Sequence, residues 1–434
     1  MTSVVVRSGR PYGGDPCDLV IEGGRITEVC APGAGSAEVM IDADGCVVLP
    51  GLVDLHTHLR EPGREHAETI ESGSRAAAKG GFTCVHAMAN TSPVADTAGV
   101  VEQVWRRGVE AGLVDVRPVG AVTIGLAGEQ LAELGAMANS AARVRVFSDD
   151  GLCVHDPLVM RRALEYVKAF DGVIAQHAQD PRLTEGAQMN EGELSGRLGL
   201  AGWPAVAEES IIARDVLLAE HVNSRVHVCH VSTAGSVDVI RWAKQRGIAV
   251  TAEATPHHLL LTEELVATFD PMYKVNPPLR RAEDVAALRE AVADGTIDII
   301  ATDHAPHPLE DKDCEWAAAA MGMLGLETAL GIIAEVFVET GVMTWHQVAD
   351  RMSIAPARIG AVADQGQPIE VGSVANLAVW DPRRPMQVTS HGLSSRSSNS
   401  PYLGRELPGS VRHVIFRGRP TVVDGEISNE RERR

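Results

Sequence analysis

Hydrophobic positions along the chain follow two rhythms. In residues 18–29, DLVIEGGRITEV, apolar and polar side chains alternate, break at Gly23-Gly24 and alternate again, the signature of a hairpin. The far end is similar: 374–382 (VANLAVWDP) and 411–425 (VRHVIFRGRPTVVDG) are β-rich and punctuated by Gly and Pro. The long middle instead alternates short β-type runs with helical patterns. Runs at 51–56, 82–87, 115–121, 143–147, 172–177, 225–230, 248–253 and 297–302 predict eight strands. Between most of them lie helical patterns such as 156–170 (DPLVMRRALEYVKAF) and 205–221 (AVAEESIIARDVLLAEH).

Eight strands with intervening helices fit a closed parallel barrel better than an open doubly wound sheet. The open sheet needs a Gly-rich phosphate turn after its first strand, and VDLHTHLR offers none. The expected fold class is therefore α/β: a (β/α)₈ TIM barrel flanked by small N- and C-terminal β segments. The expected division is 1–50 and 366–434 for the β segments and 51–365 for the barrel, and 434 residues accommodate both. Residues 394–401 (SSRSSNSP) read as a polar loop.

Composition narrows the partners. Hydrophobic residues make up 45% and charged ones 22%, ordinary for a chain with a large core. A formal net charge of −19 argues against nucleic acid, whose backbone calls for a basic face. No run approaches the roughly 18 apolar residues of a membrane helix, so no membrane is expected. The start, MTSVVVRSGRPYGGDP, lacks a charged region followed by a long apolar run, so no secretory signal is expected either. The 7 scattered cysteines, without CxxC spacing, read as reduced thiols of a cytoplasmic protein. Cys229, next to His230, has two readings, a metal ligand or a small hydrophobe filling a buried strand, and the second is favoured.

Candidate chemistry gathers at one end of the predicted strands, the end where barrel enzymes carry their active sites. Strand one ends in His56-Thr57-His58, and residues i and i+2 of an extended segment point the same way, so both imidazoles can face one ion. Strand four runs into Asp149-Asp150, strand five ends at His177, strand six at His230 and strand eight at Asp303. A lone histidine at a strand end is ordinarily a hydrogen-bonded structural residue. Four histidines and two aspartates at the same end of five strands are not explained by packing, because ionisable groups are rarely buried unless paired or metal-bound. Imidazole with carboxylate suits zinc, with iron, manganese or cobalt as alternatives. A single catalytic zinc takes about three protein ligands, so the set is too large for one ion. Two ions about 3.5–4 Å apart use all of it. His56, His58 and Asp303 then serve one, His177 and His230 the other, and Asp150 bridges. Asp149 is expected to point away into hydrogen bonds, as is His304 beside Asp303. His257 and His258 read as supporting or structural.

The segments GLVDLHTHLREPG, HAMANTSP, FSDDG, QHAQD, HVCHVST, TAEATPHHL, KVNPPLR, ATDHAPH and GLET follow one another between Gly51 and Thr328. In that order they resemble class I dihydroorotases of the amidohydrolase superfamily, and the flanking β segments resemble that family's composite β domain. Many relatives, hydantoinases and allantoinases among them, bridge their metals with a carbamylated lysine. The lysines here are Lys79, Lys168, Lys244, Lys274 and Lys312, none of them at the end of strand four. The resemblance therefore implies a bridge by Asp150 and two Zn²⁺ per subunit. It also implies that Arg60, Asn90 and His307 grip a substrate carboxylate and that Asn276 contacts the ring. The local alternatives are a salt bridge from Arg60 to Glu61 or Glu65, and turn-forming roles for Asn90 and Asn276.

What the resemblance implies about function is reversible hydrolysis of (S)-dihydroorotate to N-carbamoyl-L-aspartate in pyrimidine biosynthesis. A metal-bridging hydroxide is the expected nucleophile and Asp303 the general base. The alternatives are a hydantoinase- or allantoinase-type cyclic amidohydrolase, and a non-catalytic scaffold for aspartate transcarbamoylase. A homodimer and an association of the active enzyme with aspartate transcarbamoylase are compatible with the resemblance. One departure from it is EWAAAAMGM before Gly325, where a proline near a glycine is expected. It bears on loop contacts, as does the segment around Lys312 and Cys314, read as a mobile loop over the site.

Overall fold

Strand Val47–Pro50 carries the junction of the molecule, because it pairs antiparallel with Leu377–Asp381 from the other end of the chain (Pro50 opposite Leu377, Val48 opposite Val379). The structure, a computed structural model, describes residues 3–428. Around that junction a nine-stranded sheet runs Glu426–Ile427, Arg419–Val423, Ser410–Phe416, Leu377–Asp381, Val47–Pro50, Val4–Pro11, Cys17–Glu22 and Arg25–Cys30, with Val39–Asp42 also on Val4–Pro11. The hairpin at Cys17–Glu22 and Arg25–Cys30 turns through Gly23 and Gly24, at φ 57° and 83°; two successive positive φ values match the strand twist, and glycine reaches them without strain. One face of the sheet buries Val4, Val6, Leu19, Ile21, Ile41 and Val48 against Leu377, Val379 and Ile415, so both ends of the chain share one core.

Between these segments the chain forms the barrel. Its strands are Leu52–Thr57, Phe82–Ala87, Asp115–Pro118, Val146–Phe147, Val173–Gln176, Val226–Val228, Val250–Ala254 and Ile299–Ile300, one in each predicted run. Neighbours pair in parallel, and isolated parallel bridges, Gly120 with Phe147 and Thr57 with His304, close the ring. The strands are buried on both faces, which is why they read as near-continuous apolar runs. Crossover helices cover them. Ile70–Lys79 starts at a Thr69 capping box, Pro157–Val167 at Asp156, whose carboxylate accepts from two backbone amides, and Ala234–Gln245 at Thr233. Among the described residues no helix is long and apolar enough to cross a membrane.

Two insertions matter for the site. The segment after Asp303 returns only at Met323, where a bridge to His304 extends the barrel edge. Later the chain leaves the composite sheet after Asp381, pairs Met386–Gln387 with Glu406–Leu407, and rejoins it at Ser410.

Candidate active site

Strand one delivers two imidazoles on one face. His56 is 0% exposed and His58 5%, and the Nε2 atoms of both point at Oδ1 of Asp303, at 3.5 and 3.1 Å. Their backbone is held by buried Asp54, which accepts from His56 N–H and from the hydroxyls of Thr57 and Thr302. Asp54 thus pins strand one to strand eight one residue before Asp303. At the strand ends His230, Asp303 and Arg60 have φ of 30°, 45° and 61°. Such strain in non-glycine residues persists only where surrounding contacts over-determine it, and it clusters at functional sites.

Asp150 occupies the middle. Its Oδ1 lies 3.2 Å from His56 Nε2, from His177 Nδ1 and from His230 Nε2, and its Oδ2 lies 3.3 Å from His58 Nε2. One carboxylate therefore faces two imidazole pairs, one oxygen shared by three rings. Burial alone raises its pKa, but His56, His177 and His230 outweigh that and hold it well below the usual carboxylate range. Burial likewise works against ionisation of Asp303, and His56 and His58 reverse it. Asp149 points the other way, accepting from the backbone of Val122 and Thr123 and from the Thr123 hydroxyl. His304 faces Glu68 and the backbone N–H of Gly325, away from the cluster.

These groups fit divalent metal. His56 Nε2 is buried without a hydrogen-bond partner, and His177 Nδ1 stands 2.9 Å from His230 Nε2. Meanwhile the outer nitrogens are engaged: His56 Nδ1 with Glu253 (2.6 Å), His58 Nδ1 with Asn90 (2.9 Å) and His177 Nε2 with Gln179 (2.7 Å). An imidazole that donates its outer N–H to oxygen turns a lone pair inward, the arrangement metal ligands adopt. His56, His58 and Asp303 form one candidate metal group, and His56, Asp150 and His230 another. Cys229 also lies near His56 and Glu253, but it packs with Met88, Val119, Val146 and Val173, and burial pushes its thiol up. No lysine Nζ is available in the cluster: Lys79 meets Glu426, Lys168 the carbonyl of Val222, Lys244 Asp298, Lys274 the carbonyl of Trp316, and Lys312 those of Lys274 and Ala320.

A cavity of about 220 Å³ opens over the cluster, lined by His58, Arg60, Asn90, Asp150, His177, His230, Asn276, Asp303 and His307 among others. A larger one of about 310 Å³ lies between the helices 70–79 and 98–111 and the strand 419–423, and contains none of these residues. On one side of the smaller cavity Arg60 donates to the carbonyl of Pro306, and its Nη2 comes within 3.4 Å of His307 Nε2. Burial lowers Arg60 to about 10, so it remains a cation at neutral pH. Burial and the neighbouring Arg60 push His307 down to about 3, so its ring is neutral there. Asn90 accepts from His58 through Oδ1, which leaves its amide N–H groups to other partners. Asn276 donates to Gln179, and its own Oδ1 is buried without a partner. The site thus has a pole of imidazoles and carboxylates and, beside it, an anion-favouring pole.

A family model described as dihydro-orotase-like matches residues 45–236. A dihydroorotase of Streptomyces coelicolor is 65% identical over 428 residues, 99% of this chain and 100% of the relative. A dihydroorotase of Mycobacterium tuberculosis is 55% identical, covering 98% of this chain and 99% of its own length. The chain belongs to the dihydroorotase family. Among solved structures, an L-hydantoinase from Arthrobacter aurescens matches with a TM-score of 0.87 at 25% identity, covering 99% of this chain and 98% of that one. A D-hydantoinase matches with a TM-score of 0.82 at 24% identity, a likeness of fold alone. As a dihydroorotase, the chain is a cyclic amidohydrolase of pyrimidine biosynthesis on a (β/α)₈ barrel with a small composite β domain. Its histidines and aspartates provide candidate metal-binding groups.

Two residues of this dihydroorotase site escape the sequence analysis. Glu253, the last residue but one of strand seven, accepts from His56, from His227 (3.0 Å) and from the backbone N–H of His230 (3.2 Å). Its burial favours the neutral acid, and His56 and His227 override that to keep it ionised. The test that found Asp303, an ionisable residue at the end of a barrel strand, applies to it equally. Gln179 joins His177 to Asn276, and its signal is the i+2 spacing from His177. His257 and His258 are buried beside the site. His258 bonds to Thr255 and the carbonyl of Pro277, whereas His257 Nε2 has no partner and burial lowers its ring to about 4.

Proposed function

We propose that this dihydroorotase interconverts (S)-dihydroorotate and N-carbamoyl-L-aspartate with two zinc ions per subunit. His56, His58 and Asp303 would hold one, His177 and His230 the other, with Asp150 shared. The observation that carries this is Asp150, whose two oxygens face all four imidazoles at 3.2–3.3 Å. When bound there, the ions supply Lewis acidity and bring the pKa of water near neutrality, so that a hydroxide nucleophile is available.

The chain's own residues do the rest. Arg60, Asn90 and His307 hold the ring carboxylate, and Arg60 suits it because a guanidinium pairs with both oxygens in one plane. Asn276 accepts a ring N–H at its free Oδ1. Asp303, kept ionised by His56 and His58, takes the proton from the attacking water and returns it to the ring nitrogen that leaves. Cyclisation uses the same groups in reverse, Asp303 taking the proton from the carbamoyl nitrogen.

We also read 51–365 as the barrel and 1–50 with 366–434 as the β domain, on the shared sheet and core; residues 1–2 and 429–434 lie outside the described residues. Family resemblance extends this to a homodimer able to associate with aspartate transcarbamoylase. The free cysteines among the described residues support a cytoplasmic setting.

The deciding experiment measures turnover of dihydroorotate beside hydantoin and allantoin, with metal content determined on the same sample. Expected are turnover of dihydroorotate and about two zinc ions per chain. In the Arg60→Ala variant, turnover of the anionic ring falls while bound metal is unchanged. Equal losses on neutral and anionic rings, or loss of metal, would remove Arg60 from the carboxylate site.

A further inference from the structure

The polar segment 394–400, far in sequence from every barrel strand, lies at the mouth of the barrel. Two buried or partly buried carboxylates tie it down. Glu327 accepts from the backbone amides of Ser394 (2.9 Å) and Ser395 (3.3 Å), and Glu68 accepts from the Ser395 hydroxyl and the Arg396 amide (3.0 Å). The Ser397 hydroxyl donates to the carbonyl of Ala67 at 2.7 Å. At the end of this strap stands Asn399, 2% exposed, with all of its amide committed. Its Oδ1 accepts the backbone N–H of His307 (3.1 Å), and its Nδ2 donates to the carbonyls of Ala305 (3.0 Å) and Gly322 (3.1 Å). Its own carbonyl accepts from Leu324 at 3.1 Å.

One side chain therefore clasps both limbs of the 305–324 loop. The outgoing limb carries His307. The returning limb carries Met321, whose carbonyl lies 3.1 Å from His307 Nε2, and Gly322, where an added Cβ would come 2.8 Å from the same atom. The distance between the limbs sets where the imidazole stands opposite Arg60. Ala305 N–H donates to the Met323 carbonyl at 2.8 Å and joins the limbs at their base, while Asn399 ties His307 N–H to the Gly322 carbonyl further out, where those groups could otherwise pair with water.

We infer that Asn399 is a positioning residue for the substrate carboxylate: it fixes the His307 ring against Arg60 from the C-terminal strap. The inference rests on His307 contacting that carboxylate, as proposed above. It goes beyond the ligand and contact set, because Asn399 lines neither the cavity nor the metal cluster and acts only through the loop.

The test is a double-mutant cycle on the full-length, metal-loaded protein with Asn399→Ala, His307→Ala and the pair, reading KM and kcat for dihydroorotate separately together with metal content. Asn399→Ala should raise KM about tenfold, in keeping with one or two lost buried hydrogen bonds, while kcat and bound metal hold. In the His307→Ala background it should add little, since residues acting through one another are not additive. Multiplicative effects, or a KM within twofold of the parent when His307→Ala alone raises it, would overturn the role of Asn399. An unchanged KM in His307→Ala would instead overturn the carboxylate contact itself, and the inference with it. If Asn399→Ala does not fold, Asn399→Asp takes its place, keeping volume and the acceptor for His307 N–H while losing both donors.

Discussion

The carboxylate of Glu253 lies 2.6 Å from Nδ1 of His56, on the side of the ring opposite Asp150 and Asp303. A fixed acceptor there settles which nitrogen of His56 keeps its lone pair for the cavity. Because Glu253 also holds the backbone of His230, it orients two rings of the cluster at once.

Replacing Glu253 by Gln should therefore weaken metal binding by about 10–100-fold, the usual cost of losing a carboxylate behind a ligating histidine. Competition with a chromophoric chelator measures this directly. An unchanged affinity would mean that His56 keeps its tautomer without help.

Asp303→Asn separates holding from proton transfer. The amide keeps an oxygen toward His56 and His58 but does not accept the proton of the attacking water. Turnover should fall about 10²–10⁴-fold, the range of general-base contributions, with metal content retained. Near-normal turnover at full metal occupancy would assign the proton transfer to another group.

At Gly322 the backbone has φ 153°, and a Cβ would meet His307 Nε2 at 2.8 Å and the Ala305 Cβ at 2.9 Å. Gly322→Ala should displace the His307 ring and lower kcat/KM for dihydroorotate about 10²-fold, the scale of an ångström's misplacement, without loss of metal. Steady-state kinetics with metal analysis decides it.

Glu327 supplies a pH signature. Burial raises its carboxyl to about 7, with the amides of Ser394 and Ser395 pulling the other way. A folded-state pKa above the unfolded one means that this group's stabilisation is full below the unfolded value of 4.5 and is lost as pH rises toward about 7. Glu327→Gln mimics the protonated form at every pH. Its Tm relative to the parent should climb between those two values and stay level above them. A flat difference across that window would show that the carboxyl titrates normally.

Much of this molecule is legible from local pattern, and the exceptions have a common physical cause. Phe147 and Ile300 close strands of only two residues, yet their surroundings announce them, because parallel barrel strands are apolar on both faces. His56, His58, Asp150, His177, His230 and Asp303 stand out because each ionisable group interrupts such a run at its end. Glu253 hides in TAEAT, where alternation makes a polar residue look solvent-facing although it is 1% exposed. Asn399 and Glu68 are illegible for another reason. Glu68 meets Ser395 and Arg396, 327 and 328 positions away, and Asn399 meets His307 and Ala305, 92 and 94 positions away; such contacts leave no periodicity in either segment.

The seam between Pro50 and Leu377 also has a history in time. A ribosome adding roughly 5–20 residues per second reaches Leu377 a quarter of a minute to a minute after it has passed Pro50. Throughout that interval the N-terminal strands have a flank without its neighbour, open to pairing with any other extended chain. Completion of the sheet is thus among the last events of synthesis, and a chain cut short before Leu377 carries an intact set of candidate metal ligands beside an unfinished, adhesive edge.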